Sequence, residues 1–389
     1  SEQLNATHDQ NIVNQLEGKV SGVAITGSGT QGGSTKITIR GANSITGNND
    51  PLFIVDGTPV SNRGRGGSPN GGGLGGSNVD FGSVINDIDP NAITTVPVRQ
   101  GPNAAALYGS RGANGVVLIT TKRGSASANG FQTALTSSVT WDTPSITPKF
   151  QDLYGQGSGG QFQFVDGAGG GTQDFNDQSF GPRLDGRTMG CIFTPVKGST
   201  TYDQTQPCTQ FDSPVVNGVL QPSPWIAHPD NVSSFFQTGQ TWNNNLSFSG
   251  GTDRATGRVS VGNENTKGVI PNNTFNKFSG SLAGNFNVSS RISTSATVQY
   301  INNKAHNRPG VGYNSGIMEG LYVWFGRQVD MDALKNYEPH ADQTFACNSQ
   351  YNWNCNYHNN PWWIQYQNPE ADNRDHVIAS GSATWKMTD

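Results

Sequence analysis

Residues 131–141 read Phe-Gln-Thr-Ala-Leu-Thr-Ser-Ser-Val-Thr-Trp. Successive side chains of an extended strand point to opposite sides, so Phe131, Thr133, Leu135, Val139 and Trp141 share one face. Gln132, Ala134, Thr136, Ser138 and Thr140 share the other. The same alternation returns four times. Trp242, Leu246 and Phe248 oppose Asn243, Asn245 and Ser247, and Phe278, Leu282, Phe286 and Val288 oppose Ser279, Ser281, Asn285 and Asn287. Ile292, Ala296, Val298 and Tyr300 oppose Ser293, Ser295, Thr297 and Gln299, and Val377, Ala379, Ala383, Trp385 and Met387 oppose Ser380, Ser382, Thr384 and Lys386. Segments of roughly 10 residues with this pattern fit a transmembrane β-barrel wall, apolar toward lipid and polar toward water. A soluble β-sandwich with polar outer faces carries the same pattern.

The connections separate the two. With the first strand running outward, 144–240 and 303–373 become long outer loops and 269–274 a shorter outer turn. Residues 250–256 and 288–291 then make short inner turns. Short turns on one side and long loops on the other are the rule of outer-membrane barrels, and a sandwich has no reason to sort its connections so.

Composition agrees. Only 13% of the 389 residues are charged and 33% are hydrophobic, with Gly (51), Asn, Ser and Thr standing in for charge. No run approaches the 18 or more apolar residues of a membrane helix. A net charge of -4 offers no footprint for nucleic acid. No basic and apolar leader opens the sequence, so Ser1 is expected to lie downstream of any signal peptide, or the protein has none.

Residues 1–124 have a different texture, that of a small α/β domain. Ile12, Val13, Leu16 and Val20 after Asp9-Gln10-Asn11 predict a short helix. Brief strands are predicted at 23–26, 36–40, 52–55 and 115–121. The Gly-rich stretch 63–77 reads as a loop. The expected fold is therefore mainly β: an α/β domain over 1–124, then antiparallel barrel strands over 125–389. About six strands cannot close around a domain of some 120 residues, because even eight-stranded barrels are filled by side chains alone. The sequence is expected to be part of a longer one.

Several segments resemble the SusC/RagA-type TonB-dependent outer-membrane transporters. Residues 11–23 (NIVNQLEGKVSGV), 36–41 (KITIRG), 51–60 (PLFIVDGTPV) and 85–124 (INDIDPNAITTVPVRQGPNAAALYGSRGANGVVLITTKRG) are similar to the family's plug. Residues 180–186 (FGPRLDG), 235–251 (FFQTGQTWNNNLSFSGG) and 360–366 (NPWWIQY) are similar to its first barrel third. The resemblance implies a plug inside a 22-stranded barrel, in the outer membrane of a Gram-negative-type bacterium. It implies a SusD-like surface lipoprotein as lid, and a TonB-type energy transducer that pulls on a short N-terminal box. No such box is apparent, so it is expected before Ser1, and the remaining strands after Asp389. The implied function is active import of an oligomeric nutrient, glycan or peptide, gated by the plug. A non-transporting structural component and an outer-membrane sensor are the rivals.

Site residues follow from these frames. Arg40, Asp56 and Arg111 lie in plug-like motifs, and Arg258 and Glu264 in the inward register of the third strand. They are candidates for breakable plug and wall contacts, or serve only to solvate the lumen and stabilise the plug internally. Trp141, Trp242 and Trp385 sit near strand ends as interfacial girdle residues. Tyr351, Trp353, Tyr357, Trp362 and Trp363 in the second long loop are candidates for stacking on substrate or docking a lid, unless the loop packs on itself.

Cys191, Cys208, Cys347 and Cys355 contain no CxxC and lie 17 and 8 positions apart within the two pairs. They fit intrachain disulfides, Cys191 with Cys208 and Cys347 with Cys355, with free thiols as the alternative and metal ligation a distant third. Gly109-Ser110-Arg111-Gly112 lacks the ending of a phosphate loop, and HExxH, GxSxG and EF-hand patterns are missing. Asp330, Asp332, Glu338, His340 and Asp342 match no standard cation loop and read as a solvated face. Neither enzymatic activity nor a cofactor or metal is expected.

Overall fold

The computed structural model describes residues 11–27, 29–45, 49–60, 62, 79–124, 130–145, 147–157, 159–160, 178–187, 190–191, 206–207, 212, 215–217, 219–220, 223–310, 316–338, 346–347, 349–354 and 357–387. The Gly-rich stretch 63–77 lies outside them.

The first unit begins with Asn11–Leu16, where Ile12, Val13 and Leu16 are buried but only Asn14–Leu16 turns, as one 3-10 turn. The expected short helix is reduced to this turn. Asn11 Oδ1 accepts the Val13 N–H at 2.9 Å, and Gly18 and Gly22 take φ of +70° and +71°, which ends any helical path. Strands β1 (Val23–Gly27) and β2 (Thr35–Ile39) pair antiparallel. Strands β3 (Leu52–Val55) and β4 (Thr58–Val60) form a hairpin over Asp56-Gly57, whose φ of +47° and +88° suit the tight two-residue turn such a pair favours. Helix α1 (Val84–Asp87) is followed by β5 (Ile93–Thr95), β6 (Val98–Arg99), α2 (Pro102–Tyr108) and β7 (Val116–Thr121).

The sheet order is β4-β3-β7-β5, with β3 parallel to β7 and β6 also paired to β7. Phe53, Val55, Ile85, Ile88, Val117 and Ile119 pack as its core, and Ile378 from the second unit is inserted among them.

That second unit is a six-stranded antiparallel sheet in the order β19-β16-β15-β14-β13-β8. Its strands are β8 (Gln132–Asp142), β13 (Gly239–Gly251), β14 (Ala255–Lys267), β15 (Thr274–Asn287), β16 (Ile292–His306) and β19 (Ala371–Trp385). Two-residue strands lie between them in the long loops: β9 (Gly190–Cys191), β10 (Gln206–Pro207), β11 (Val215–Val216), β12 (Val219–Leu220), β17 (Ala346–Cys347) and β18 (Gln350–Tyr351). Alternation is strict on β14, where Arg258, Ser260, Gly262, Glu264 and Thr266 are buried against the first unit and their neighbours are exposed.

Register aligns the outward side chains into lateral rows. One row runs Phe248, Val259, Leu282, Val298, Ala379, and the next Leu135, Leu246, Val261, Gly280, Tyr300, Val377. All of their large apolar side chains are exposed. An exposed apolar belt flush with a one-sided polar lining is the surface that lipid covers and water does not. Trp141 and Trp242 bound the outer end of the sheet and Trp385 the inner end. No helix among the described residues is long and apolar enough to cross a membrane, which does not bear on strands.

Loops 143–238 and 307–370 share a core of their own. Trp225, Val232 and Phe235 pack with Leu321, Phe325, Met331, Leu334 and Trp353. Helices α3 (Ile317–Glu319) and α4 (Met331–Leu334) supply Ile317, Met331 and Leu334 to it, and Trp362 of α5 (Pro361–Gln367) packs against it.

Candidate functional site at the plug and wall

Ile-Asn-Asp-Ile-Asp-Pro-Asn (85–91) sets the boundary between the two units. Ile85 and Ile88 are fully buried in the α/β core, which pins the segment and turns Asn86, Asp87 and Asp89 toward the sheet. Pro90 opens a 3-10 turn, and Asp89 caps it by accepting the Asn91 N–H at 2.8 Å.

The other oxygen of Asp89 receives Asn245 Nδ2 at 3.0 Å and Ser279 Oγ at 2.9 Å from the wall. Wall glycine Gly262 makes the approach possible, since a Cβ there would lie 2.9 Å from Asp89 Oδ2 and 2.5 Å from Ser279 Oγ.

Asp87 pairs with Arg374, whose Nη1 also donates to Phe81 O at 2.8 Å, and His376 Nδ1 stands 3.5 Å from the second Asp87 oxygen. Asn303 Nδ2 donates to Asp87 as well. Lys277 Nζ donates to Asn86 O at 3.1 Å, and Arg308 donates to Gln31 O while bonding Asp372 at 2.6 Å. Above these contacts a cavity of about 470 Å³ opens between the units, lined by Asn11, Thr30, Ser34, Thr241, Thr266 and Lys277 among others.

Residues 1–116 match the family described as TonB-dependent Receptor Plug Domain. SusC of Bacteroides thetaiotaomicron, a TonB-dependent receptor, is 27% identical over 273 residues, 70% of this chain and 21% of its own length. TonB-dependent receptor P26 of Formosa agariphila is 35% identical over 130 residues, 33% of this chain and 11% of its own. The structure of the RagAB peptide importer in an open-open state superposes with a TM-score of 0.58 at 18% identity, covering 97% of this chain and 37% of that one. Residues 1–116 are thus a TonB-dependent receptor plug domain, and the chain is similar to SusC/RagA-type TonB-dependent receptors. It spans about a fifth of the length of SusC. Its α/β unit is the plug, and its six strands are part of the barrel wall.

Of the residues expected to join the plug to the wall, the structure brings some to the boundary. Asp56 accepts the Thr121 N–H at 3.0 Å and Thr121 Oγ1 at 2.6 Å, a tie inside the plug, and meets Thr297 Oγ1 of the wall at 3.4 Å. Arg258 is buried, donates to Ser260 Oγ at 2.9 Å and faces the plug. Burial first and Arg258's charge second hold the plug's Lys122 below the ordinary lysine pKa, with Asp89 acting the other way. Glu264 is buried directly opposite Lys277 in register, and Asn243 Nδ2 reaches it at 3.5 Å. Arg40 is exposed on the plug, φ +58°, and donates to Gln100 at 2.9 Å. Arg111 is exposed in the 3-10 turn Gly109–Gly112. Sequence reasoning missed Asp87, Asp89, Lys277, Asn303, Arg374 and His376.

In the receptor's outer loops, Tyr351 and Trp353 lie at 4% and 1% exposure, so both rings belong to the loop core. Tyr357 is exposed, and Trp362 and Trp363 are half-buried on α5, whose first turn Asn360 caps. Trp362 stands edge-on to Phe235 at 5.1 Å and donates to Met331 Sδ. Arg327 joins the two loops by bonding Asp152 at 2.7 Å and Pro229 O at 2.6 Å, lying over the Phe150 ring at 5.1 Å and bonding Asn231. Gln156 and Gln328 exchange two hydrogen bonds beside it, at 3.0 and 3.1 Å.

Cys191 and Cys347 are described as strand backbone, while Cys208 and Cys355 lie outside the described residues, and so does their pairing. Of the acidic residues read as a solvated face, Asp330 has a different setting: its ligand atoms and those of Asp212 and His228 all lie within 4.8 Å of one another. Burial pushes the Asp212 carboxyl up to about 6, Asp330's charge adds to the shift, and its own backbone N–H and His228 oppose it. His340 and Asp342 lie outside the described residues.

Proposed function

We propose that this chain is the plug and an early part of the wall of an outer-membrane importer for an oligomeric nutrient, glycan or peptide. A TonB-type transducer drives it, a SusD-like lipoprotein lids it, and the plug is its gate. The observation that carries the reading is the chemistry of the plug and wall boundary. Asp87 and Asp89 meet Arg374, Asn303, Asn245 and Ser279 through polar contacts, beside the place where wall Ile378 inserts into the plug's apolar core. Hydrogen bonds to a charged group, whose partners re-form with water, contribute about 1.5–3 kcal/mol net each, so a pull can release them one at a time. A dry apolar seam would resist in one step. The cavity lined by amides and hydroxyls gives a polar chain of substrate its first space beside the plug.

The test is a cross-link between Asn91 and Asn243, whose side chains are hydrogen-bonded at 3.2 Å across the boundary. The source bacterium, deleted for the gene, is complemented with the full-length Asn91→Cys/Asn243→Cys receptor and grown on panels of oligosaccharides and oligopeptides. Growth that fails when the pair is joined by a short thiol cross-linker and returns on reduction supports the gate. Undiminished growth with the cross-link complete overturns it. The wild-type receptor under the same disulfide-forming cross-linker and reductant is the control for the native cysteines.

A further inference from the structure

Asp212 and His228 belong to the first long loop and Asp330 to the second, yet their ligand atoms converge within 4.8 Å of one another. Two of the three are held by the backbone around Arg327. The His228 N–H donates to Arg327 O at 2.8 Å, and Asp330 is fixed as the N-cap of α4, one oxygen accepting the Asp332 N–H at 2.8 Å. Asp212 reaches the same point from further back in the first loop, and its Oδ1 is buried without a hydrogen-bond donor. A buried carboxylate oxygen that accepts nothing, facing a second carboxylate, is unfavourable until a cation or a proton comes between them.

We propose that Asp212, His228 and Asp330 bind a divalent transition-metal ion, zinc in the first instance, that staples the two outer loops together. The donor set chooses the ion: an imidazole nitrogen with two carboxylates suits zinc and its first-row neighbours, whereas calcium and magnesium take oxygen ligands. Around a tetrahedral zinc with bonds of about 2.0–2.1 Å, ligand atoms stand about 3.3 Å apart, so the observed spacing closes onto an ion by side-chain rotation. A water completes the fourth position. The ion would add a metal tie to the hydrogen bonds and ion pair, Arg327–Asp152 and Gln156–Gln328 among them, that already join these loops. The site does not depend on transport, and it stands whether or not the gate hypothesis does.

The test uses the full-length receptor in detergent, stripped with EDTA and titrated with zinc chloride by calorimetry, with metal content measured after gel filtration. Wild type is expected to retain one zinc per chain and to melt at higher temperature with zinc than without. Asp212→Asn and His228→Gln are each expected to weaken zinc binding at least tenfold and to abolish the zinc-dependent rise in melting temperature. Metal-free Asp212→Asn is expected to melt no lower than metal-free wild type, because it relieves the repulsion with Asp330, so a loss of binding there is not a loss of fold. Should His228→Gln misfold, Asp212→Asn alone carries the result. Wild type that takes up no zinc, variants that bind it as wild type does, or calcium chloride raising the melting temperature as much as zinc would each overturn the assignment.

Discussion

Asp89 of the plug accepts Ser279 Oγ of the wall at 2.9 Å while capping its own 3-10 turn at Asn91 with the other oxygen, at 2.8 Å. One carboxylate therefore shapes the plug and docks it. Asp89→Asn keeps the capping oxygen but presents an amide NH2 to the Asn245 NH2, leaving donor facing donor there, and the Ser279 hydroxyl must turn from donor to acceptor. The expected cost is about 1–3 kcal/mol, felt locally. Hydrogen exchange of the full-length receptor should speed up over residues 85–95 and stay unchanged in β13 and β15.

Gly262 is where the wall yields to that carboxylate. Gly262→Val adds branched carbons where even one Cβ would lie within 3.0 Å of Asp89, Ser279 and Asn245 side-chain atoms. Overpacking of this kind costs about 1–3 kcal/mol, here borne by the plug's seat. Trypsin should cleave the plug of the variant faster than that of wild type, with the folded barrel band on unheated gels unaltered. Gly284→Val, where the nearest neighbouring atom to a Cβ is Thr256 O at 3.8 Å, should leave the plug as resistant as before.

Asp87 is 1% exposed and Arg374 13%, so theirs is a buried ion pair. Removing one member of such a pair costs about 3–5 kcal/mol because it strands the other charge. Arg374→Gln is expected to loosen the plug by that order, and Asp87→Asn/Arg374→Gln to recover most of the loss. A double-mutant cycle on plug unfolding in urea checks this, and purely additive single effects would contradict the coupling.

The wall was legible because lipid and water select opposite residues at successive positions. Where that selection lapses, so did the reading. Outward positions Asn373 and Asp375 of β19 lie in polar rows beside Asn302 and Lys304, beyond the apolar belt, so the strand's first turns look like loop and the inward Arg374 and His376 went unseen. Asp87 and Asp89 stood in a segment quoted for its resemblance, but only the burial of Ile85 and Ile88 says which way the carboxylates point. At 12–20 the apolar spacing is helical, and two glycines at positive φ override it. The cluster of Asp212, His228 and Asp330 draws on positions too far apart in the chain for any spacing rule.

Strand pairing sets Cys191 opposite Gln206 and Cys347 opposite Gln350, so each lies on a short ladder that brings its loop back on itself. Disulfides Cys191–Cys208 and Cys347–Cys355 are the expectation for an oxidising compartment. Closing a loop of the first size contributes about 3 kcal/mol in chain entropy. Peptide mapping without reduction should recover both linked pairs, and free thiols at all four positions would refute the pairing.

Leu282 occupies the middle of an exposed row, with Val259 and Val298 as its direct cross-strand neighbours. In a soluble sandwich an exposed leucine tolerates arginine at little cost. In a lipid-facing wall the same change costs about 2–4 kcal/mol near the bilayer midplane and about 0–1 near its edges. Ile292 provides the edge comparison, because it opens β16 opposite Trp385 at the inner girdle. Reversible unfolding of the full-length receptor in lipid vesicles should therefore rank Leu282→Arg well below Ile292→Arg in stability. The same two variants in detergent should differ less, since a micelle deforms around a charge more readily than a bilayer does. Equal stability of the two variants in vesicles would remove the membrane from the explanation of the apolar rows.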